Sequence, residues 1–351
     1  MVLDNFGFLI FIMRITLYFI FIFGIVLTGC NQVKSTTFSS DAKSLSVLFY
    51  NVENLFDTED DPKTYDEEFT PNGKKSWTKE RYNTKLLHLG KVVSSIDSNM
   101  PDLFGLCEIE NLGVLEDLNA SAYFKEVGYE ILHQDSPDSR GIDVALFYNP
   151  EKIQLEIDGF ITSKLPAGDR PNTRQILHAK GTLKGDAFHV FVNHWPSRSG
   201  GKKETEPNRL TVANNLSEYL MDIRRTDENA QILLMGDFND YPNDKSIYEI
   251  LRAGAIGKAR YSNMMWDAHK SGKGSYNYRG DWGALDQFIV TPNLTNGEGV
   301  EADQSSVKFF QADWMMHENS YGNLVPSRTY GGPNYYGGYS DHLPIFMRFT
   351  W

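Results

Sequence analysis

Short apolar runs bordered by polar residues recur from residue 45 to residue 349 of this 351-residue chain. Apolar runs of about four to eight residues have the length of buried strands rather than of helices. One polar residue at a strand end is ordinary, whereas at least six such sets in one chain indicate a shared site. We expect strands at 45–50, 103–107, 144–148, 188–192, 231–235, 285–290 and 344–349.

The run 231–235 shows the pattern most clearly, because Gly236 ends it and Asp237 and Asn239 follow two residues apart. That spacing lets both side chains point out of the strand end toward one side. Taken alone, Gly-Asp-x-Asn fits an Asx turn after a strand as well as a functional site. Enzymes with α/β and sandwich folds carry their active-site residues at strand ends above a sheet. The residues at the other strand ends therefore decide between an Asx turn and a functional site.

Amphipathic helices are expected between the strands. Residues 79–97 place apolar side chains on one face, with Thr78 as a plausible N-cap, and residues 208–225 show the same period. No Gly-rich linker, composition break or repeat interrupts residues 45–351, which favours one domain of the α/β (α+β) class.

The bulk composition excludes disorder as the general state, since 41% of the residues are hydrophobic and 13% are aromatic. The net charge of −12 argues against tight, non-specific binding of duplex nucleic acid. A polyanionic substrate would therefore need local cations or metal ions. Two cysteines rule out a disulfide scaffold.

The N-terminus has the layout of a signal peptide, in which Arg14 precedes an apolar core that ends in Leu-Thr-Gly-Cys. This ending looks like a bacterial lipobox, which makes Cys30 the lipidated residue. A plain membrane anchor is the alternative, and both interpretations place the folded part outside the cytoplasm, in the periplasm or at the cell surface. We expect a signal peptide over 1–29, a lipidated tether over 30–44 and a folded domain over 45–351.

The polar strand ends, taken in order, are Asn51, Glu108, Asn193-His194, Gly236-Asp237-Phe238-Asn239, Asp286 and Ser340-Asp341-His342. This ordered set resembles the motifs of the endonuclease/exonuclease/phosphatase superfamily, which includes pancreatic deoxyribonuclease, exonuclease III and the neutral sphingomyelinases. The resemblance covers about residues 45–351, the expected catalytic domain. It implies a four-layer sandwich of two mainly antiparallel or mixed β-sheets flanked by helices, with the active site at one edge of the sheets.

The resemblance implies catalytic roles for five of these residues. Asp237 would orient or deprotonate the attacking water, a step typically worth about 10²–10⁴-fold. Asn239 would hold the phosphate or the nucleophile. His342 would contact a non-bridging oxygen or exchange a proton, with Asp286 fixing its other ring nitrogen. His194 would donate to the phosphate or assist the leaving group.

The expected cofactor is Mg²⁺ or Mn²⁺, with Ca²⁺ possible, because carboxylates and carboxamides without a Cys/His cluster disfavour zinc. Glu108 is the best candidate ligand, with Asn51 beside it and Asp341 completing the metal side of the cleft. An acidic stretch at 57–68 is interpreted as a solvated surface insertion, with a calcium loop as the alternative.

Substrate contacts are expected from cations and aromatic residues. The resemblance assigns Arg140 to phosphate, with a surface arginine as the alternative. Arg198 belongs to a basic patch over 195–209 that also holds Lys202, Lys203 and Arg209 and could offset the acidic charge. The tyrosines of residues 328–340 could stack on bases or sugars, or else build rigid turns.

The function expected from these features is that of a metal-dependent phosphodiester hydrolase, an extracytoplasmic endonuclease-type nuclease that acts through metal-assisted attack of water. One alternative is a sphingomyelinase-like or inositol-phosphate phosphatase. The other is a catalytically silent envelope lipoprotein that binds glycan or nucleic acid. The expected partners are a nucleic acid or other phosphodiester and the membrane, and a monomer is expected since no protein partner is evident.

Overall fold

The computed structural model describes residues 44–166 and 172–351. The expected signal peptide, the lipobox with Cys30 and all but the last residue of the tether lie outside these ranges. Within them, none of the helices combines the length and the hydropathy needed to cross a bilayer.

The described chain alternates strands with a few helices. The helices are α1 (Lys79–Ser95), α2 (Leu112–Asn119), α3 (Lys202–Thr226) and α4 (Trp266–Lys270), with 3₁₀ turns at Glu67–Phe69, Pro292–Leu294 and Asp313–Met315 and a π-helical turn at Ser246–Leu251. The strands, in chain order, are β1 (Ser44–Leu55), β2 (Leu103–Ile109), β3 (Glu130–His133), β4 (Asp143–Tyr148), β5 (Leu155–Ile161), β6 (Ile176–Leu183), β7 (Asp186–His194), β8 (Gln231–Asp237), β9 (Ala253–Gly254), β10 (Tyr261–Asn263), β11 (Tyr276–Tyr278), β12 (Asp281–Gly283), β13 (Asp286–Val290), β14 (Glu301–Phe309), β15 (Met316–Glu318), β16 (Leu324–Pro326), β17 (Tyr330–Gly331), β18 (Asn334–Tyr335) and β19 (Ile345–Thr350).

The larger strands form two mixed sheets. The first has the order β14-β19-β1-β2-β4-β3, and the second has the order β5-β6-β7-β8-β13-β10-β9. Their inner faces share one apolar core. A Cβ atom at Gly105 would lie 3.0 Å from Sδ of Met235 and 3.2 Å from Cγ1 of Val192, so a glycine on β2 lets the sheets approach closely.

Helices cover the outer faces. A second apolar cluster packs α1 and α2 on the first sheet, and a third packs α3 on the second sheet. The four-layer sandwich of two mixed sheets flanked by helices is therefore confirmed.

The helix limits agree with the sequence at α1 and differ at α3. Thr78 caps α1, its side chain accepting a hydrogen bond from the backbone N–H of Arg81. Helix α3 begins at Lys202, six residues before the expected start, with Gly201 as N-cap and Pro207 inside it. Because proline disfavours helix interiors, the sequence pattern placed these residues in a loop.

Each sheet brings one parallel strand pair to the same edge of the sandwich. Strand β1 runs parallel to β2 with Asn51 opposite Cys107, and β7 runs parallel to β8 with His194 opposite Asp237. Since the carboxyl ends of parallel strands lie together, both pairs deliver their last residues to one place.

Candidate active site

The second sheet places three of the expected catalytic residues side by side. Asp237, the last residue of β8, is in register with His194 at the end of β7 and with Asp286 at the start of β13. All three are buried. The strand register therefore sets the spacing of these residues.

The turn after β8 explains why the sequence there is Gly-Asp-x-Asn. A Cβ atom at Gly236 would lie 2.3 Å from the carbonyl oxygen of Asn193 on β7, so only glycine fits. Asn239 has a φ of 49°, and its backbone N–H donates to Oδ1 of Asp237 at 2.9 Å. Its amide nitrogen lies 3.0 Å from the carbonyl oxygen of Trp195 and 3.3 Å from Oδ2 of Asp237. The segment is an Asx turn and part of the site at once.

His342 and Asp286 form a short hydrogen bond, with 2.7 Å between Nδ1 and Oδ2. The His342 backbone N–H donates to Oγ of Ser340, which itself donates to the carbonyl oxygen of Asn51. Although burial opposes a charge here, the carboxylate of Asp286 raises the pKa of His342 well above its usual range. The imidazole is therefore protonated at neutral pH, with Nε2 3.9 Å from Oδ2 of Asp237.

His194 lies on the other side of Asp237, with Nε2 3.9 Å from Oδ2 of Asp237 and 3.8 Å from Oε1 of Glu108. Burial, together with the neighbouring guanidinium groups of Arg174 and Arg140, lowers the pKa of His194 well below its usual value. The two histidines therefore differ, one charged and one neutral. The Nδ1 atom of His194 is buried and has no hydrogen-bond partner.

Burial raises the pKa of Asp237 to about 7, the carboxylates of Asp286 and Glu108 adding to the effect and His342 opposing it. A carboxyl group in that range exchanges a proton near neutral pH, as a general base must.

Glu108 stands at the end of β2 with a φ of 64°, which turns its carboxylate out of the strand. Its Oε2 accepts from the backbone N–H of Asn54 at 3.0 Å. The amide nitrogen of Asn51 lies 3.2 Å from Oε1 of Glu108 and 3.1 Å from Oδ2 of Asp237. The Asn51 oxygen accepts from the backbone N–H of Glu53, so Asn51 presents a donor, not an oxygen, to the two carboxylates.

The donor set fits a hard divalent cation. Carboxylate oxygens of Asp237 and Asp286 lie within 4.8 Å of each other and of a ring nitrogen of His342, and Oδ1 of Asp286 is buried without a hydrogen-bond partner. Because the His342 imidazole is protonated and its Nδ1 is bonded to Asp286, the carboxylates are the candidate ligands. Glu108 adds a partly exposed carboxylate beside them. Oxygen ligands of this kind suit Mg²⁺, Mn²⁺ or Ca²⁺ better than zinc.

Asp341 lies at the mouth of the site rather than in the buried cluster. Its Oδ2 accepts from Nη2 of Arg328 at 2.8 Å, and its side chain is partly exposed. The metal role expected for Asp341 would therefore compete with this ion pair.

Most of these residues line a cavity of about 720 Å³, and four cations also line it. Arg140 lies with its Nε 3.4 Å from Oδ1 of Asp138. Its side chain is partly exposed, so it is accessible to a phosphate. Arg174, which the sequence did not reveal, is buried, donates to the carbonyl oxygen of Trp195 at 2.7 Å, and has no partner at Nε. A single arginine before a strand has no neighbouring sequence pattern that would predict its place in the cavity wall.

The expected basic patch is largely neutralised. Arg198 donates to Asp244 at 2.8 Å and lies 3.2 Å from Asp240, although it still lines the cavity. Arg209 is fully buried and lies 2.9 Å from the same Asp240. Asp240 is thus a buried counter-ion.

For the tyrosines of 328–340, the structure favours the alternative of rigid turns over substrate stacking. The tyrosines of 328–340 pack largely on α1, where Arg81 covers Tyr335 and His88 stacks on Tyr339. The cavity is lined instead by three other aromatic residues, Tyr241, Tyr276 and Tyr278.

The model of the Endonuclease/Exonuclease/phosphatase family matches residues 46–350, nearly the whole described chain. The chain belongs to this family. Membership supports a hydrolase that acts on phosphoester bonds and uses a divalent metal. No curated protein matches the chain.

Solved structures of the endonuclease/exonuclease/phosphatase fold superpose on most of the chain. A humanized Danio rerio TDP2 matches with a TM-score of 0.54 and 15% identity over 88% of this chain and 100% of that chain. A Bacteroides thetaiotaomicron mannosyl-6-phosphatase matches with a TM-score of 0.53 and 17% identity, over 88% of this chain and 100% of that chain. D. rerio TDP2 complexed with a single-strand DNA product matches with a TM-score of 0.51 and 14% identity, over 88% of this chain and 99% of that chain. At these identities the likeness shows the shared fold.

Proposed function

We propose that this chain is an extracytoplasmic, divalent-metal-dependent nuclease that hydrolyses phosphodiester bonds. The observation that carries the proposal is the convergence of Asp237, Asn239 and His342 on one cavity beside Glu108. This arrangement offers a base, a neutral donor, a cationic donor and a metal-binding carboxylate within reach of one phosphate.

Asp237 is the proposed general base. Its Oδ1 is held by the Asn239 backbone and its Oδ2 by the Asn51 amide, so the carboxylate has a fixed orientation. It would take a proton from water as the water oxygen bonds to phosphorus and the ester P–O bond breaks. The leaving oxygen takes up a proton from solvent, so the products are an alcohol and a phosphomonoester.

The two histidines would contact different oxygens of the reacting phosphodiester. His342, protonated and held by Asp286, would donate to a non-bridging oxygen as negative charge develops there. His194, neutral and without a partner at Nδ1, would contact the phosphate or the leaving oxygen. A bound divalent ion would supply charge neutralisation for the phosphoryl oxygens, with Glu108 as its principal ligand.

Two features favour a nucleotide chain as the substrate. The cavity combines cations at Arg140 and Arg174 with exposed aromatic surface at Tyr278. Cations hold backbone phosphates and aromatic rings stack on bases. One neighbour in the same fold was solved with a single-strand DNA product.

A phosphomonoester is the second candidate substrate. Arg140, Arg174, Arg198 and Lys202 all line the cavity, and several cations in one cavity suit a dianionic terminal phosphate. A mannosyl-6-phosphatase shares the fold. The inositol-phosphate and sphingomyelinase alternatives belong to the same test.

The experiment is a substrate panel on the full chain purified in detergent. Plasmid DNA, single-stranded DNA, RNA, bis-p-nitrophenyl phosphate, sugar 6-phosphates, inositol polyphosphates and sphingomyelin are each assayed with Mg²⁺, Mn²⁺ or Ca²⁺. The variants Asp237→Asn and His342→Gln are run beside His317→Gln, which changes an exposed histidine outside the site.

Nuclease activity that EDTA abolishes, that Mg²⁺ restores and that only the two site variants lose would support the proposal. Turnover of monoesters or sphingomyelin alone, with the same sensitivity, would replace the nuclease by the second candidate. Equal inactivity of wild type and variants on every substrate would leave only the binding lipoprotein.

A further inference from the structure

A histidine and two carboxylates lie together at the end of the β3–β4 hairpin. His133 ends β3, Asp143 begins β4, and Asp135 lies in the loop between them. The Nε2 atom of His133 lies 3.1 Å from Oδ2 of Asp143 and 4.0 Å from Oδ1 of Asp135. The three ligand atoms all lie within 4.8 Å of one another. One nitrogen and two oxygens are therefore close enough to share one ion, and other residues line the active-site cavity.

Strand pairing brings His133 and Asp143 together. Strands β3 and β4 are antiparallel with His133 opposite Ala145, and Asp143 precedes Ala145 by two residues. Side chains two residues apart on a strand share a face, so Asp143 is a diagonal neighbour of His133. The side chains of His133 and Asp143 are buried, whereas that of Asp135 is 83% exposed. The sheet thus fixes two of the three groups, and the third leaves a path open to solvent.

The two carboxylates have no permanently charged cation beside them. Among residues 44–166 and 172–351, His133 is the only basic side chain within 4.0 Å of Asp135 or Asp143. By contrast, Asp138 in the same loop lies 3.2 Å from Arg174 and 3.4 Å from Arg140. A divalent ion would neutralise both carboxylates and would also bind the lone pair of a neutral imidazole.

We propose that His133, Asp135 and Asp143 bind a Zn²⁺ ion that is separate from the catalytic metal. Zn²⁺ binds imidazole nitrogen and carboxylate oxygen at about 2.0–2.2 Å in a tetrahedral arrangement, which separates neighbouring ligand atoms by about 3.3 Å. The 3.1 Å separation already meets this requirement, and the 4.0 Å separation needs only a small movement of the exposed Asp135 side chain. Water can fill the fourth position. Mg²⁺ and Ca²⁺ prefer oxygen ligands alone, so the imidazole favours zinc.

Such an ion would fix the loop that carries Arg140 into the cavity wall. Oδ1 of Asp143 accepts from the backbone N–H of Ser136 at 2.8 Å, and Oγ of Ser136 donates to the Ile142 carbonyl oxygen at 3.2 Å. Within this loop the Arg140 backbone N–H donates to Oδ1 of Asp138 at 2.9 Å. Asp143 would therefore close the loop with one oxygen and bind the ion with the other. The assignment does not depend on the proposed nuclease activity.

The test measures zinc binding, not activity. The full chain in detergent is titrated with ZnCl2 by calorimetry in excess Mg²⁺, which occupies the catalytic site, and thermal unfolding is followed under the same conditions. His133→Gln removes the nitrogen ligand, with His317→Gln as its matched control because His317 is exposed. Asp135→Asn removes an oxygen ligand from an exposed position, so this variant should fold even if His133→Gln does not. The exposed Asp313→Asn is its control.

We expect one Zn²⁺ per chain and a Tm rise of roughly 5 °C at 100-fold excess over Kd. Both should persist in the two controls and disappear in His133→Gln. In Asp135→Asn the Kd should rise by at least about 10-fold, since loss of an outer partner of a ligand alone costs about 10–100-fold. X-ray absorption at the zinc edge should show one imidazole ligand.

A wild type without zinc heat or Tm shift in excess Mg²⁺ would overturn the site and leave an ordinary hydrogen bond between His133 and Asp143. Zinc binding that survives both His133→Gln and Asp135→Asn would place the ion elsewhere. A bound zinc without an imidazole ligand would also overturn the assignment.

Discussion

The Nδ1 atom of His342 lies 2.7 Å from Oδ2 of Asp286, although the two residues are 56 positions apart in the chain. Asp286 begins β13 of the second sheet, and His342 lies three residues before the start of strand β19 of the first. This one hydrogen bond joins the two sheets at the floor of the site. It also sets the charge of the imidazole.

The first prediction concerns that charge. Asp286→Asn keeps the shape of the side chain and removes the carboxylate that holds His342 protonated. We expect kcat to fall by about 100-fold or more, with the alkaline limb of the pH profile moving to lower pH. The measurement is kcat and KM from pH 5 to 10, with Asp313→Asn, an exposed acid, as control. An unchanged kcat and pH profile would remove His342 from the mechanism.

The second prediction follows from Asp237. Because burial raises its pKa to about 7, the metal-free carboxyl is mostly protonated at pH 6 and mostly ionised at pH 8. A cation binds the ionised form, so affinity must rise with pH. We expect the apparent Kd for Mg²⁺ to be about 10-fold lower at pH 8 than at pH 6, measured by calorimetry. Asp237→Asn should lose this pH dependence, and an equal dependence in that variant would disprove its origin.

The third prediction concerns the buried ammonium group of Lys85 on α1. Its Nζ donates to Oγ1 of Thr329 at 2.7 Å and to the Tyr339 carbonyl oxygen at 2.8 Å, closing the loop before His342. Lys85→Met should lower the free energy of unfolding by about 2 kcal/mol and kcat by about 10-fold, because the loop loses its anchor. Lys79→Met on the exposed face of α1 should change the unfolding free energy by less than about 0.5 kcal/mol. Denaturant unfolding and steady-state kinetics are measured for both variants. Equal losses in Lys85→Met and Lys79→Met would contradict the role of Lys85 in holding the loop.

The fourth prediction concerns acid stability. Burial, together with the neighbouring His189, lowers the pKa of His178 to about 4. An unfolded histidine has a pKa of about 6.5. Between pH 4 and pH 6.5 the unfolded chain therefore binds a proton at His178 that the folded chain does not bind. The stabilisation is therefore complete above pH 6.5 and is lost as the pH falls toward 4.

We expect this group to reduce the unfolding free energy by about 2 kcal/mol between pH 7 and pH 5. His178→Gln should reduce that loss, whereas His317→Gln, which changes an exposed side chain, should leave it unchanged. Urea unfolding at the two pH values is the measurement. A loss of the same size in all three proteins would assign the acid sensitivity to other groups.

The fifth prediction addresses the location, which we propose to be a bacterial membrane reached through Cys30. Wild type should incorporate labelled palmitate and sediment with membranes, because a lipidated protein stays bound to the bilayer. Cys30→Ala should lose the label. Cys107→Ala should keep it, since Cys107 is buried in the folded domain. Label that persists in Cys30→Ala would exclude this anchor.

The sequence predicted what is local. Strand β8 and its turn were foreseen because an apolar run, a glycine and two polar residues lie within nine positions. The capped helix α1 was foreseen for the same reason.

What depends on distant partners was missed. Asp240 obtains its counter-ion Arg209 from α3, and Arg174 obtains its hydrogen-bond partners from Trp195 and Asp138. The sequence left open whether Tyr335 and Tyr339 stack on substrate or build rigid turns, and Arg81 and His88 on α1 cover their rings. Residues far apart in the chain supply these contacts, so no local pattern records them.

Strand β19 lies between β14 and β1, and the residue pair just before it completes the cavity. A nascent chain that has not yet reached residue 342 therefore holds Asp237 and Glu108 without the imidazolium that faces them. Hydrolysis would begin only when that late strand has docked, so the activity itself reports that both sheets are assembled.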